Sequence, residues 1–120
     1  MASNIASNIK SNMESKMARY TPYRKGRQFE YQVKHMLEKL GFKVFRCARS
    51  MPIDLIAFHP NMKPILIECK LTDNIDKKQV EVQKQLAQQC NAEYLLITRQ
   101  NLKDVKRQLL AKIALTYTKS

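Results

Sequence analysis

The chain has 120 residues, 44% of them hydrophobic, with 22 Lys and Arg against 10 Asp and Glu and a formal net charge of +12. That length allows one compact domain with a modest core, and the longest apolar runs, such as Ile65-Leu66-Ile67 and Leu95-Leu96-Ile97, are far too short to cross a bilayer. Residues 1–20 lack the apolar stretch of a secretory signal, so a soluble, intracellular, cytoplasmic protein without membrane attachment is expected. Its positive charge points to a polyanionic partner, nucleic acid foremost.

The chain divides into an N-terminal extension, residues 1–20, and a single domain, residues 21–120. The extension repeats as ASNI, ASNI, KSNM, ESKM, which sets Ile5, Ile9, Met13 and Met17 on one narrow helical stripe. Ser and Asn are poor interior helix formers, so two readings stay open: a frayed segment, and a helix that docks on a partner or second subunit. Met17 is also placed to serve as an alternative translation start.

A strong helical pattern follows over residues 24–40, with Phe29, Val33, Met36, Leu37 and Leu40 within about 100° on the wheel and Gly41 as its stop. A strand is expected over 42–47, then a basic loop, Ala48-Arg49-Ser50-Met51-Pro52. Two apolar runs, 53–58 and 64–70, flank the Pro-containing connector 59–63 and predict a β-hairpin. A helix over 75–90 carries Val82, Leu86 and Cys90 on one face, with Asp76 or Asn74 as cap. Residues 93–98 do not alternate and read as a fourth strand buried on both faces. Asn101 is the expected cap of a last helix to about residue 115, with Leu102, Val105, Leu109 and Ile113 inward and Leu110, Ala114 and Tyr117 off that stripe. The order αβββαβα describes an α/β fold, a mixed central sheet flanked by helices.

Three cysteines, Cys47, Cys69 and Cys90, form no CxxC pair and read as buried free thiols rather than a zinc site or a disulfide framework. His35 and His59 stand apart from them and from each other, as surface or boundary residues.

Asp54 and Glu68 are unusual among the acidic residues because each lies inside a strand-like apolar run, where an ionised carboxylate needs compensation. A turn centred on Asn61 sets Asp54 opposite Glu68 across the hairpin, Cβ atoms about 5 Å apart, and Lys70 projects from the same face. One reading is a buried ion pair, with Lys70 neutralising one carboxylate. The other is a hard-cation site: Mg²⁺, with Mn²⁺ as substitute, takes one or two carboxylates, and the Cys69 carbonyl offers a further oxygen. There the metal would polarise a phosphate, with Lys70 orienting the attacking water or stabilising the transition state.

The segment Ile53-Asp54-Leu55-Ile56-Ala57, followed by Ile67-Glu68-Cys69-Lys70, resembles the signature of the PD-(D/E)xK nuclease superfamily, although Pro52 stands one place earlier than the superfamily's name suggests. Lys25-Gly26-Arg27-Gln28-Phe29-Glu30 resembles the KGxxxE element of archaeal-type Holliday junction resolvases. The likeness covers residues 24–99 and implies a restriction-endonuclease-like core. It implies active-site roles for Glu30, near the metal, for Ser50 in the loop before Asp54, and for Gln79 opening the helix after the second acid. It also implies a homodimer that makes paired nicks in DNA four-way junctions. Arg24, Lys25, Arg27, Arg46 and Arg49, which flank Glu30 or precede Asp54, are the expected DNA contacts. Two alternatives remain at this stage: a related nuclease acting on duplex, flapped or single-stranded DNA, and a catalytically silent nucleic-acid-binding module.

Overall fold

The computed structural model describes residues 22–118. The repeat of the N-terminal extension, with its Ile5, Ile9, Met13 and Met17 row, lies outside the described residues. The elements run α1 (Pro22–Lys39), β1 (Lys43–Arg46), a 3₁₀ turn (Ala48–Ser50), β2 (Leu55–Phe58), β3 (Ile65–Lys70), α2 (Lys77–Gln89), β4 (Glu93–Thr98) and α3 (Leu102–Thr118). This is the expected order, with one unforeseen turn.

The sheet order is β1-β2-β3-β4. β1, β2 and β3 pair antiparallel, and β4 joins β3 in parallel, a pairing that requires the crossover supplied by α2. Leu55 faces Ile67, Ile56 faces Leu66 and Ala57 faces Ile65, so the hairpin holds the register centred on Asn61. Arg46 and Leu55 are level with Ile67 at one end of the sheet, and there β3 and β4 run three residues further, to Lys70 and Thr98.

The main core lies between one sheet face and α1 with α3. Phe29, Val33 and Leu37 from α1 and Val105 and Leu109 from α3 pack on Val44, Leu55, Ala57, Ile65, Ile67 and Ile97. α1 stops at Gly41 (φ 97°), where the Phe42 N–H reaches the Leu37 carbonyl and the Gly41 N–H reaches that of Glu38, the Schellman closure that glycine permits. The other face carries α2 alone, with Ala87 and Leu86 over Ile53, Leu66 and Ile56. One helix cannot cover four strands, and Phe45 and Phe58 remain 60% and 43% exposed there, their rings edge-on at 6.0 Å.

Several expectations need correction. α2 turns Gln83 and Ala87 inward, whereas Val82 is 66% exposed and Cys90 is exposed at its C-cap; the scarce apolar residues of a Gln- and Lys-rich helix misplace its phase. Cys90 is thus not a buried thiol, and Cys47 and Cys69 are half-buried. β4 is an edge strand, fully buried only at Ile97 and Thr98. Asn101 does not cap α3 with its side chain, which accepts from the Thr98 N–H and donates to the Leu96 carbonyl. Asp76 does cap α2, accepting from the N–H groups of Lys78 and Gln79. Among the described residues no helix is long and apolar enough to cross a membrane.

Candidate active site

At that end of the sheet the chain assembles three buried carboxylates. Glu30 comes from the middle of α1, Asp54 from the residue before β2, and Glu68 from β3, at 9%, 5% and 4% exposure. Each follows from local structure. Glu30 borders the Phe29–Val33–Leu37 stripe, so burying that stripe carries it against the sheet edge. Asp54 and Glu68 come together because the hairpin register continues past Leu55, with the Asp54 N–H donating to the Ile67 carbonyl at 3.2 Å.

Each carboxylate has its own hydrogen-bond donors. Oδ2 of Asp54 accepts from the Cys69 N–H at 2.8 Å. Glu30 accepts from Arg46 Nη2 at Oε2 and from Ser50 Oγ at Oε1, both at 3.1 Å. Oε2 of Glu68 accepts from the side-chain amide of Gln83. Gln83, itself 2% exposed, also donates to the Pro52 carbonyl at 3.1 Å and accepts from the Tyr94 hydroxyl.

Among the described residues Arg46 is the cation that pairs with this group, and it pairs with Glu30. No ion pair reaches Asp54 or Glu68 from any described residue, and Lys70, half-buried at the end of β3, engages neither. The buried ion pair that Lys70 offered in sequence is therefore not formed. The electrostatic consequence falls on Asp54: burial, and then the hydrogen bond it shares with Glu68, push its carboxyl up to about 6. Glu30 is raised by burial and then by the charge of Asp54. Burial also raises the Tyr94 hydroxyl to about 12, helped by Glu68 and Asp54.

A cleft of about 680 Å³ opens beside Glu30, lined by Arg27, Arg46, Arg49 and Ser50 together with Gly26, Cys47 and Ala48. Arg49 and Ser50 both take positive φ, 58° and 53°, an uncommon backbone for non-glycine residues, and that turn delivers the Ser50 hydroxyl to Glu30. Tyr31 supports the arginines: Arg46 lies 4.8 Å and Arg27 5.9 Å from its ring centroid, and Arg46 Nη1 donates to its hydroxyl at 3.3 Å.

Of the residues singled out in the sequence, Glu30, Ser50, Asp54 and Glu68 meet here, and Lys70 stands at the same end of the sheet. Arg27, Arg46 and Arg49 line the cleft, Arg24 lies on the adjoining surface beside Arg27 and Tyr31, and Lys25 is exposed outside it. The structure does not bring Gln79 to the carboxylates. This residue is exposed in the first turn of α2, and the glutamine that reaches Glu68 is Gln83, one turn later. Gln83 and Tyr94, which join the site through Glu68, carry no motif in the sequence. The spacing of Val80, Gln83 and Ala87 is the signal that would have found the first.

The donor set suits a hard cation of the Mg²⁺ kind, which prefers one or two carboxylates and completes its shell with water and substrate oxygens. Among the described residues no three His, Cys, Asp or Glu side chains group as a metal cage. The candidate donors reduce to Asp54 and Glu68, with the Cys69 carbonyl between Glu68 and Lys70. Glu30 stands beside them with each oxygen already accepting a hydrogen bond, from Arg46 and from Ser50.

Residues 21–118 match the model of the family described as archaeal Holliday junction resolvase (Hjc). The chain is also 41% identical over 63 residues to the crossover junction endodeoxyribonuclease Hjc of Methanocaldococcus jannaschii, a match covering 49% of this chain and 47% of that relative. The match thus spans about half the length of each protein.

Proposed function

The chain belongs to the archaeal Holliday junction resolvase family, and on that premise we propose that it is a divalent-metal-dependent endonuclease that resolves four-way DNA junctions inside the cell. The observation that carries the reading is the pair of buried carboxylates, Asp54 and Glu68, that no cation among the described residues neutralises. A pair so placed shares a proton or accepts a metal.

Asp54 and Glu68 would hold Mg²⁺, or Mn²⁺ in its place. The cation, when bound, polarises the scissile phosphate and favours ionisation of the attacking water. Lys70, at the end of β3, supplies an ammonium to orient that water or to meet charge developing on the phosphate. Glu30 and Tyr31 hold Arg46 toward the cleft, and Ser50 fixes the second oxygen of Glu30. Arg27, Arg46 and Arg49 receive the DNA backbone, which positions a junction by shape and phosphate placement and not by base edges.

Paired nicks need two equivalent sites, so the acting species is a two-fold dimer. We assign its interface to the half of the sheet that α2 leaves uncovered, where the Phe45 and Phe58 rings stand exposed, in preference to Leu110, Ala114 and Tyr117 on the outer side of α3. The residues 1–20 then precede the nuclease domain as an extension.

The deciding experiment compares cleavage of a four-way junction with that of a linear duplex of the same sequence, with and without Mg²⁺. A preference for the junction of at least about tenfold, some 1.4 kcal/mol, is expected. Equal cutting of both substrates by a monomer would leave a nuclease of another specificity. No cutting of either would leave a binding module.

A further inference from the structure

We infer that Gln83 is a positioning residue that sets the spacing of the Asp54–Glu68 pair, and that Tyr94 holds Gln83 in the working orientation. The inference rests on the reading of that pair as a cation site.

Its basis is how one buried side chain is shared. The Gln83 amide nitrogen donates both to Oε2 of Glu68 and to the carbonyl of Pro52, the latter at 3.1 Å. Pro52 lies two residues before Asp54, and Glu68 lies on β3. A single amide therefore ties together the two segments that present the carboxylates. Both of its acceptors are pure acceptors, which fixes the amide with nitrogen toward them and oxygen away. The oxygen meets the Tyr94 hydroxyl, the one partner in the set able to donate to it. Rotating the amide would put its oxygen against a carboxylate and a carbonyl, so the hydroxyl on β4 also determines which atom faces Glu68.

The placement is costly unless it serves something. Gln83 is 2% exposed on the inward face of α2, beside Ala87, where an apolar side chain would bury without needing partners. Its bond also occupies one oxygen of Glu68, just as the Cys69 N–H occupies one oxygen of Asp54. Each carboxylate is thus oriented through one oxygen by a donor that belongs to the scaffold. Outer groups of this kind typically change metal affinity ten- to a hundredfold when removed.

The test measures binding of Mg²⁺ alone to the DNA-free full chain by calorimetry, together with the melting temperature and the Mg²⁺ dependence of cleavage. The variants are Tyr94→Phe, which removes one hydroxyl, Gln83→Met, which keeps the volume but removes the amide, and Asp54→Ala and Glu68→Ala as references. Gln83→Met is expected to bind Mg²⁺ about ten- to a hundredfold more weakly. Tyr94→Phe should move in the same direction by less, with little change in melting temperature. In both, half-saturation for cleavage should shift to higher Mg²⁺ while the rate at saturation recovers toward wild type. If the carboxylate variants lose Mg²⁺ while both relay variants bind it like wild type, the positioning role is overturned and the cation site stands. If the carboxylate variants themselves bind Mg²⁺ like wild type, the cation site fails and the inference with it.

Discussion

Asp54 and Cys69 are joined across the hairpin by a 2.8 Å hydrogen bond from the Cys69 N–H to Oδ2 of Asp54. β3 thereby grips one acid with its main chain while presenting the other, Glu68, from the preceding residue. The two carboxylates cannot move independently of that strand.

Charge can be removed from Asp54 without losing this bond, because an asparagine oxygen still accepts it. Asp54→Asn should therefore fold normally and lose cleavage by at least about a hundredfold, and so should Glu68→Gln. Junction binding should persist or tighten, since a charge that repels phosphate has gone. Single-turnover cleavage beside a gel-shift titration checks this, and near wild-type cutting by either variant would remove that residue from the chemistry.

The raised carboxyl of Asp54 has a defined effect on stability. Its folded value of about 6 lies above the ordinary 3.8, so between those values the folded protein keeps a proton that the unfolded chain has released. Stability without metal must then fall as pH rises from about 4 to about 6, by at most about 3 kcal/mol from this group. Glu30, also raised, acts in the same direction. Melting curves in a chelator should show the decline, Mg²⁺ should reverse it above pH 6, and Asp54→Asn should flatten it. A metal-free protein that gains stability across that window would contradict the assignment.

Lys70 separates chemistry from structure because it forms no ion pair with either acid. Lys70→Met should leave the melting temperature within a few degrees and lower the cleavage rate by at least about a hundredfold. Lys70→Arg should fail to restore full activity, a guanidinium differing from an ammonium in shape and hydration. Full activity in Lys70→Arg would reduce the residue to a point charge.

The arginines should divide by position. Replacing Arg27 or Arg49 with glutamate should weaken junction binding and reduce the log–log salt slope by about 0.9 or more for each lost phosphate contact. The same change at Lys25, outside the cleft, should do less. Arg46→Glu should do most, because it also leaves Glu30 without its counter-charge. Equal effects at all four positions would place the DNA elsewhere.

Assembly should follow the uncovered half of the sheet. Phe45→Glu should convert a dimer to a monomer by light scattering, whereas Leu110→Glu should not. The opposite result would move the interface to α3.

The hairpin was legible in the sequence because Pro and Asn mark its turn and because period-2 geometry turns a turn centre into a register. The core stripes of α1 and α3 were legible for the same kind of reason: Phe29, Val33 and Leu37, like Val105 and Leu109, leave little choice of face. α2 was not, since its inward face is led by a glutamine among several glutamines, and only the weak Val80–Gln83–Ala87 spacing sets Gln83 apart from Gln79 in the sequence. Tyr94 was equally hidden, because a strand tyrosine reads as packing until its hydroxyl has a partner. The basic pattern marks Arg46 only as an expected DNA contact, and its bond to Glu30 depends on how β1 ends beside α1, which no local pattern encodes.

The tip of the β2–β3 hairpin lies at the far end of the sheet from the carboxylates, roughly 20 Å away at about 3.4 Å per strand residue. Loop tips of this kind tolerate added chain, and Asn61 is exposed there. A cysteine placed at Asn61 to carry a fluorophore, with exposed Cys90 replaced by serine to avoid stray labelling, would report on junction capture and release without touching the cleft. The strand pairing that joins the two acids thus also gives single-molecule work a handle on the opposite pole of the molecule.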